Sequence, residues 1–129
     1  MFRFEKLEVW KEAVGYANSV YVVTRAFPDA ERFGLTSQMR RAAVSISANL
    51  AEGTSRTTDK DFARFVEIAY GSLLENVSEA FIARDQRFLR SQDFSKLYAD
   101  AEKLARMLSG LRSALLSSGS RRSTLNTQP

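Results

Sequence analysis

The chain has no cysteine and no histidine among its 129 residues. The first absence excludes a disulfide framework, a thiolate metal site and a cysteine nucleophile. The second removes the usual general base at neutral pH, the Ser-His-Asp arrangement and the commonest transition-metal ligand. Any catalysis would have to run on carboxylates, lysine, tyrosine or serine alone, so the composition predicts no enzymatic activity and no cofactor or metal. A di-iron bundle, for one, needs Glu-x-x-His repeats. Glycines are few and scattered, which rules out a Walker-type phosphate loop. Strand signals are missing too: β-branched residues are sparse, and no Asn-Gly or Asp-Gly hairpin turn occurs. No apolar run approaches bilayer length, and Met1-Phe2-Arg3-Phe4-Glu5-Lys6 alternates apolar with charged residues instead of building a signal peptide. These absences predict a cytoplasmic protein without membrane contact.

What remains is a helical pattern. An apolar fraction of 44% and a charged fraction of 26% suit one soluble domain with a single core. Four helices are expected before residue 117. The first runs from about Glu5 to Phe27 on the stripe Leu7, Trp10, Val14, Ala17, Tyr21 and Thr24, and stops at Pro28. One further helical turn fits the connection between Pro28 and Gly34. The third begins near Thr58, where Thr58 and Asp61 form a capping-box-like pair, and continues to about Phe88 on Phe62, Val66, Ala69, Leu73, Val77 and Ala80. The fourth starts at Ser91 as N-cap and ends near Ser117, with the seam Leu97, Ala101, Leu104, Leu108, Leu111 and Leu115. Short connections make successive helices antiparallel, so the fold class is an all-α, up-down four-helix bundle over 1–117. Residues 118–129 are polar and serine-rich and predict a disordered tail.

The second helix is the most informative. Thr36 is its expected N-cap and Gly53 its expected left-handed C′ residue. Leu35, Met39, Ala42, Ala43, Ile46 and Leu50 make an apolar face. Beside it Gln38, Arg41, Ser45, Asn49 and Glu52 recur at steps of three or four. This row, joined by Ser72 and Glu75 from the third helix, predicts a structural polar network inside the bundle or between subunits. Arg41 would pair with Glu75 or Glu52, and Asn49 would bridge backbone groups; the competing reading is a ligand site. Glu75 with Glu79 reads as surface or interface charge. Gly71, in mid-helix, predicts a close approach of the second and third helix backbones.

These residues carry a resemblance. Phe4…Leu7-x-Val9-Trp10-x-x-Ala13, Glu31-x-Phe33-Gly34-Leu35-Thr36-x-Gln38-x-Arg40-Arg41-Ala42, Ser45-Ile46-x-x-Asn49-x-Ala51-Glu52-Gly53 and Ala69-x-Gly71-Ser72-Leu73-x-Glu75 stand in order along residues 4 to about 115. The chain resembles the bacterial four-helix-bundle family encoded in intervening sequences of 23S ribosomal RNA genes. A related branch is the accessory variability determinant of diversity-generating retroelements. The resemblance implies a homo-oligomer, typically a pentamer, and suggests contact with RNA or a nucleic-acid-handling protein. One departure is visible: the family pattern continues Glu-Gly with a second Gly and a basic residue, whereas here Thr54-Ser55-Arg56 follows Gly53.

Two basic clusters could serve such a contact. The candidates for nucleic acid are Arg40, Arg56, Lys60 and Arg64, expected around the second connection, with Arg121 and Arg122 in the tail as helpers. Arg84, Arg87 and Arg90 gather at the end of the third helix. Both clusters also have an ordinary reading, as i, i+4 salt bridges or as cations at a helix C-terminus. The net charge of +4 is modest. Trp10, Phe62 and Phe65 read as core, whereas Phe2 and Phe4 read as a subunit contact. The sequence thus predicts a non-enzymatic oligomeric scaffold that contacts RNA or a nucleoprotein. A protein–protein adaptor without nucleic-acid binding is the alternative.

Overall fold

Apolar side chains at three- and four-residue spacing give each segment one stripe to bury, and four helices result. The computed structural model describes residues 1–126, with side chains through residue 117. A 3₁₀ turn at Arg3–Lys6 leads into α1 (Glu8–Thr24), and a second at Asp29–Glu31 precedes α2 (Leu35–Gly53). α3 (Asp59–Asp85) and α4 (Ser91–Asn126) follow, and no strand occurs among the described residues. α4 extends past the end expected near Ser117, and the tail side chains, Arg121 and Arg122 included, lie outside the described residues. No helix among the described residues is long and apolar enough to cross a membrane.

Each helix packs on the one before and the one after it, and α4 closes back on α1. The directions alternate. Ser45 meets Ser72 and Met39 meets Asn76 between α2 and α3, and Glu67 meets Arg112 while Phe81 meets Tyr98 between α3 and α4. Val20, Met39, Ile46, Leu50, Val66, Leu73, Leu104 and Leu108 are the largest of the fully enclosed apolar side chains at the centre. Burying each such side chain is worth about 1.5–3 kcal/mol, which makes this column the main source of stability.

Several local features differ from the sequence reading. In α1 the buried set is Val9, Ala13, Tyr16, Ala17, Val20 and Thr24, so the core face is rotated from the expected stripe and shares only Ala17 and Thr24 with it. Ala13 and Ala17 are small enough for neighbouring helices to approach, and that side wins over the bulkier Trp10 and Tyr21. Thr36 does not cap α2: Gly34 is the N-cap and the Glu31 carboxylate accepts from the Leu35 N–H at 3.2 Å, leaving Thr36 buried one step inside. Gly53 is the last residue of α2 and not left-handed, since no glycine among the described residues has positive φ. It is glycine because a Cβ there would lie 2.8 Å from Phe62 Cδ1. Gly71, the expected contact point, is exposed with nothing near its missing side chain.

The ends of α3 are well defined. Thr58 accepts from the Asp61 N–H at 3.1 Å, as expected of the N-cap. At the other end α3 stops three residues before Phe88. Arg87 adopts φ 66°, its N–H bonds the Arg84 carbonyl, and the Phe88 N–H reaches back to the Ala83 carbonyl, both at 2.9 Å. This is a Schellman motif with arginine at the position glycine normally takes. The turn delivers Phe88 onto Phe27, ring centroids 5.9 Å apart, and sends the chain into α4. There the Arg90 carbonyl accepts from the Phe94 N–H, so Ser91 is already inside the helix and not its cap.

Candidate functional site

Polar side chains occupy two distinct places on the α2–α3 pair. Inside the bundle, Asn76 is completely enclosed. Its Nδ2 donates to the Met39 carbonyl and its Oδ1 accepts from the Tyr16 hydroxyl, both at 2.7 Å, so one amide links three helices. Glu79, one turn on, is buried as well, and its Oε1 has no hydrogen-bond partner. Burial, and to a lesser degree the nearby Glu75 carboxylate, push its pKa up to about 7. Tyr16 is held far above the usual phenol range by burial, with Asp100 and Glu79 adding to the effect.

This interior cluster was missed in the sequence reading, which placed Glu79 at the surface. The signal was present: Asn76 lies three residues after Leu73 and four before Ala80, a polar residue on a core stripe. Tyr16 stood one position off the assumed α1 stripe and so drew no notice.

The expected polar row runs along the outside. Ser45 and Ser72 hydroxyls meet at 2.9 Å, and Asn49 Nδ2 donates to the Ser45 carbonyl at 2.8 Å and to its hydroxyl at 3.0 Å. These three are brought together, half-buried, in the α2–α3 seam. Gln38, Arg41, Glu52 and Glu75 are exposed. No ion pair joins Arg41 to Glu75 or Glu52 among the described residues; Glu52 pairs with Arg56 at 3.4 Å instead. In a single chain, therefore, the row is a short hydroxyl–amide contact flanked by exposed groups, of which Glu52 is paired with Arg56. Exposed Val44 and Ala48 on α2, with Ile68 and Gly71 on α3, sit among them.

The four basic candidates do not form one patch. Arg40 lies in the second turn of α2, sixteen residues from Arg56, a rise of about 24 Å along a helix. Its guanidinium donates to the Thr24 hydroxyl at 2.8 Å and covers the Tyr21 ring 4.6 Å from the centroid, so α1 and α2 consume it. Arg56 and Arg64 both stack on Phe65, at 4.5 and 5.1 Å, and Arg64 pairs with Asp61 at 3.5 Å. Lys60 is exposed nearby, in a groove it shares with Asp61, Arg64, Glu67 and Arg112. Of the second cluster, Arg84 lies over Phe94 at 4.4 Å and pairs with Asp85, while Arg90 pairs with Asp93. The ordinary salt-bridge reading thus accounts for much of both clusters.

A different basic surface was not foreseen as a unit. Arg32, Arg40 and Arg41 converge on an open groove of about 390 Å³ between α1 and α2, with Tyr21 and Phe33. Phe33 is 85% exposed, and Arg32 lies over its ring at 4.8 Å. Only the fold brings Tyr21 beside residues 32–41.

Comparisons with known proteins agree with this architecture. A family model described as 23S rRNA-intervening sequence protein matches residues 5–110. Among solved structures, a protein of unknown function from the S23 ribosomal protein family of Bacteroides thetaiotaomicron superposes with a TM-score of 0.72 at 17% sequence identity. The match covers 81% of this chain and 97% of that one. No curated protein matches.

Proposed function

The chain belongs to the 23S rRNA-intervening sequence protein family, and from that premise we propose that it is a non-enzymatic, homo-oligomeric scaffold that contacts RNA or a nucleoprotein. The observation that carries the assembly is the outer face of α2 and α3. There Ala48 and Ile68 are exposed beside Glu75, which belongs to no ion pair among the described residues. A second copy laid on this face buries the apolar groups and supplies opposite charges, as isologous or ring interfaces do. A pentameric ring is the form the family resemblance implies. The absence of histidine and cysteine supports a role in holding partners together instead of converting substrates.

RNA is favoured as the partner by the family's description. Repetition of one basic surface around a ring multiplies a modest field and adds avidity. The test is mass by light scattering at micromolar protein, followed by binding to a mixed RNA and DNA pool over a salt series. The proposal expects a multiple of the chain mass and an affinity that falls steeply with salt. A single-chain mass removes the assembly. An oligomer that binds no nucleic acid at low salt is a protein–protein adaptor.

A further inference from the structure

The α1–α2 groove differs from the other basic groove in its charge balance. Near the start of α3, Lys60, Arg64 and Arg112 share their groove with Asp61 and Glu67, and two of those cations are already paired there. In the α1–α2 groove Arg32, Arg40 and Arg41 face one another with no carboxylate in the lining. None of the three belongs to an ion pair among the described residues. The carboxylate closest in sequence, Glu31, is turned onto the Leu35 N–H. Positive potential therefore accumulates in this groove and cancels in the other.

The aromatic groups are the second observation. Tyr21 is covered by Arg40 and forms a wall, but Phe33 stands in water at the groove's rim with only Arg32 beside it. A ring left this exposed next to unpaired guanidiniums matches a chain that presents phosphates and flat apolar faces in alternation. We infer that this groove binds single-stranded nucleic acid, with Arg32 and Arg41 on successive phosphates and Phe33 stacked on a base. Guanidinium forks fit phosphate oxygens, and stacking tolerates any base, so recognition is of backbone and strandedness more than sequence. Arg40, fixed by Thr24 and Tyr21, supplies charge without moving. The inference rests on the RNA reading above and gives that reading its site.

Binding of labelled single strands of about 12 nucleotides, within the range one small module covers, is the direct test. RNA and DNA of one sequence, the RNA duplex and poly-glutamate are compared by anisotropy between about 50 and 200 mM salt. Arg32→Gln with Arg41→Gln should weaken single-strand binding about tenfold and shrink the salt slope by about one to two. Phe33→Ala should cost single strands about tenfold and leave the duplex nearly unchanged, because paired bases hide their faces. Lys60→Gln with Arg64→Gln should change affinity less than about twofold, since Arg64 is paired with Asp61 and the carboxylates of Asp61 and Glu67 offset most of the charge in that groove. If the parent binds RNA and the Arg32/Arg41 variant binds it equally well, this site is wrong while the RNA reading survives. A parent that binds no nucleic acid at low salt ends both. Poly-glutamate that competes as well as RNA would assign the groove to an acidic protein, and a drop in oligomer mass on Phe33→Ala would assign the ring to a subunit contact; either result overturns the inference.

Discussion

The two polar sets on α2 and α3 occupy opposite sides of the same helix pair and have opposite consequences. Inside, Asn76 satisfies both halves of its amide and ties Tyr16, Met39 and α3 into one unit. Outside, Gln38, Arg41, Glu52 and Glu75 keep their water, and only Ser45, Asn49 and Ser72 touch. Desolvation is the cause of the difference. A buried amide without partners loses its full hydration, so Asn76 must be bonded at both ends, and Glu79, whose Oε1 is not bonded, has its pKa raised instead, whereas the outer set can wait for a partner. The interior set therefore specifies the fold of one chain, and the outer set, apart from Arg41 at the α1–α2 groove, is available to specify how chains meet.

The largest expected effect tests that division directly. Asn76→Ala strands the Tyr16 hydroxyl, removes the second bond to the Met39 carbonyl and leaves a cavity, a cost on the order of 2–4 kcal/mol in chemical denaturation. A loss no larger than that of a surface substitution would mean the cluster is wet and the comparison empty. Gly53→Ala comes next. Its Cβ would press on Phe62, so the α2–α3 corner must open, costing about 1–3 kcal/mol in the same assay.

Glu79 sharpens the inside case through pH. Its folded pKa of about 7 stands above the ordinary 4.5, so the folded state holds the proton more tightly than the unfolded chain does. Stability should therefore be greatest below about pH 4.5 for this group and fall as pH rises toward 7, then level off. Glu79→Gln should remove that slope and raise the melting temperature at pH 8, by on the order of 1–3 kcal/mol in stability. A parent and variant with parallel stability–pH curves would refute the burial of this carboxylate.

The outer surface should respond weakly or in the opposite sense. Gly71→Ala has open space for its methyl and replaces the poorest interior helix former short of proline, so the single chain should gain about 0.5–1 kcal/mol. The same variant read by light scattering reports on the proposed interface: a lower mass with a higher unfolding free energy places Gly71 under a second copy. Glu75→Ala, smallest of all, should change the stability of an isolated chain by less than about 0.5 kcal/mol, because Glu75 is exposed and belongs to no ion pair among the described residues. A loss of several times that in the assembled protein would place Glu75 in a desolvated contact between copies.

The four helices were legible because their apolar spacing holds over several turns, and in α2 and α4 the buried residues are nearly those the spacing names. α1 was misjudged by about one position because it carries apolar residues on two adjacent faces. Periodicity gives the period but not which of two eligible faces the neighbours choose. The basic candidates show a related limit. Sequence spacing gathers Arg56, Lys60 and Arg64 and offers them local salt bridges, which two of them make, yet it cannot say that Phe65 lies under both of those guanidiniums. Nor can it bring Tyr21 to Arg40, since that contact crosses a helix connection.

What the sequence determined alone was the class of object: helical, without thiol or imidazole chemistry, and of one family. The first two follow from composition and local periodicity and the third from the order and spacing of motifs along the chain, and none of these needs a partner in space. The tertiary structure decided the rest. It turned α1 onto its alanine side, sank Asn76 and Glu79 into the core, and assigned to Gly53 the close contact that Gly71 had been expected to make. It left three arginines and a phenylalanine around a groove free of carboxylates. Each of these outcomes depends on which surfaces lose water when helices pack, and that is set by residues far apart in the chain.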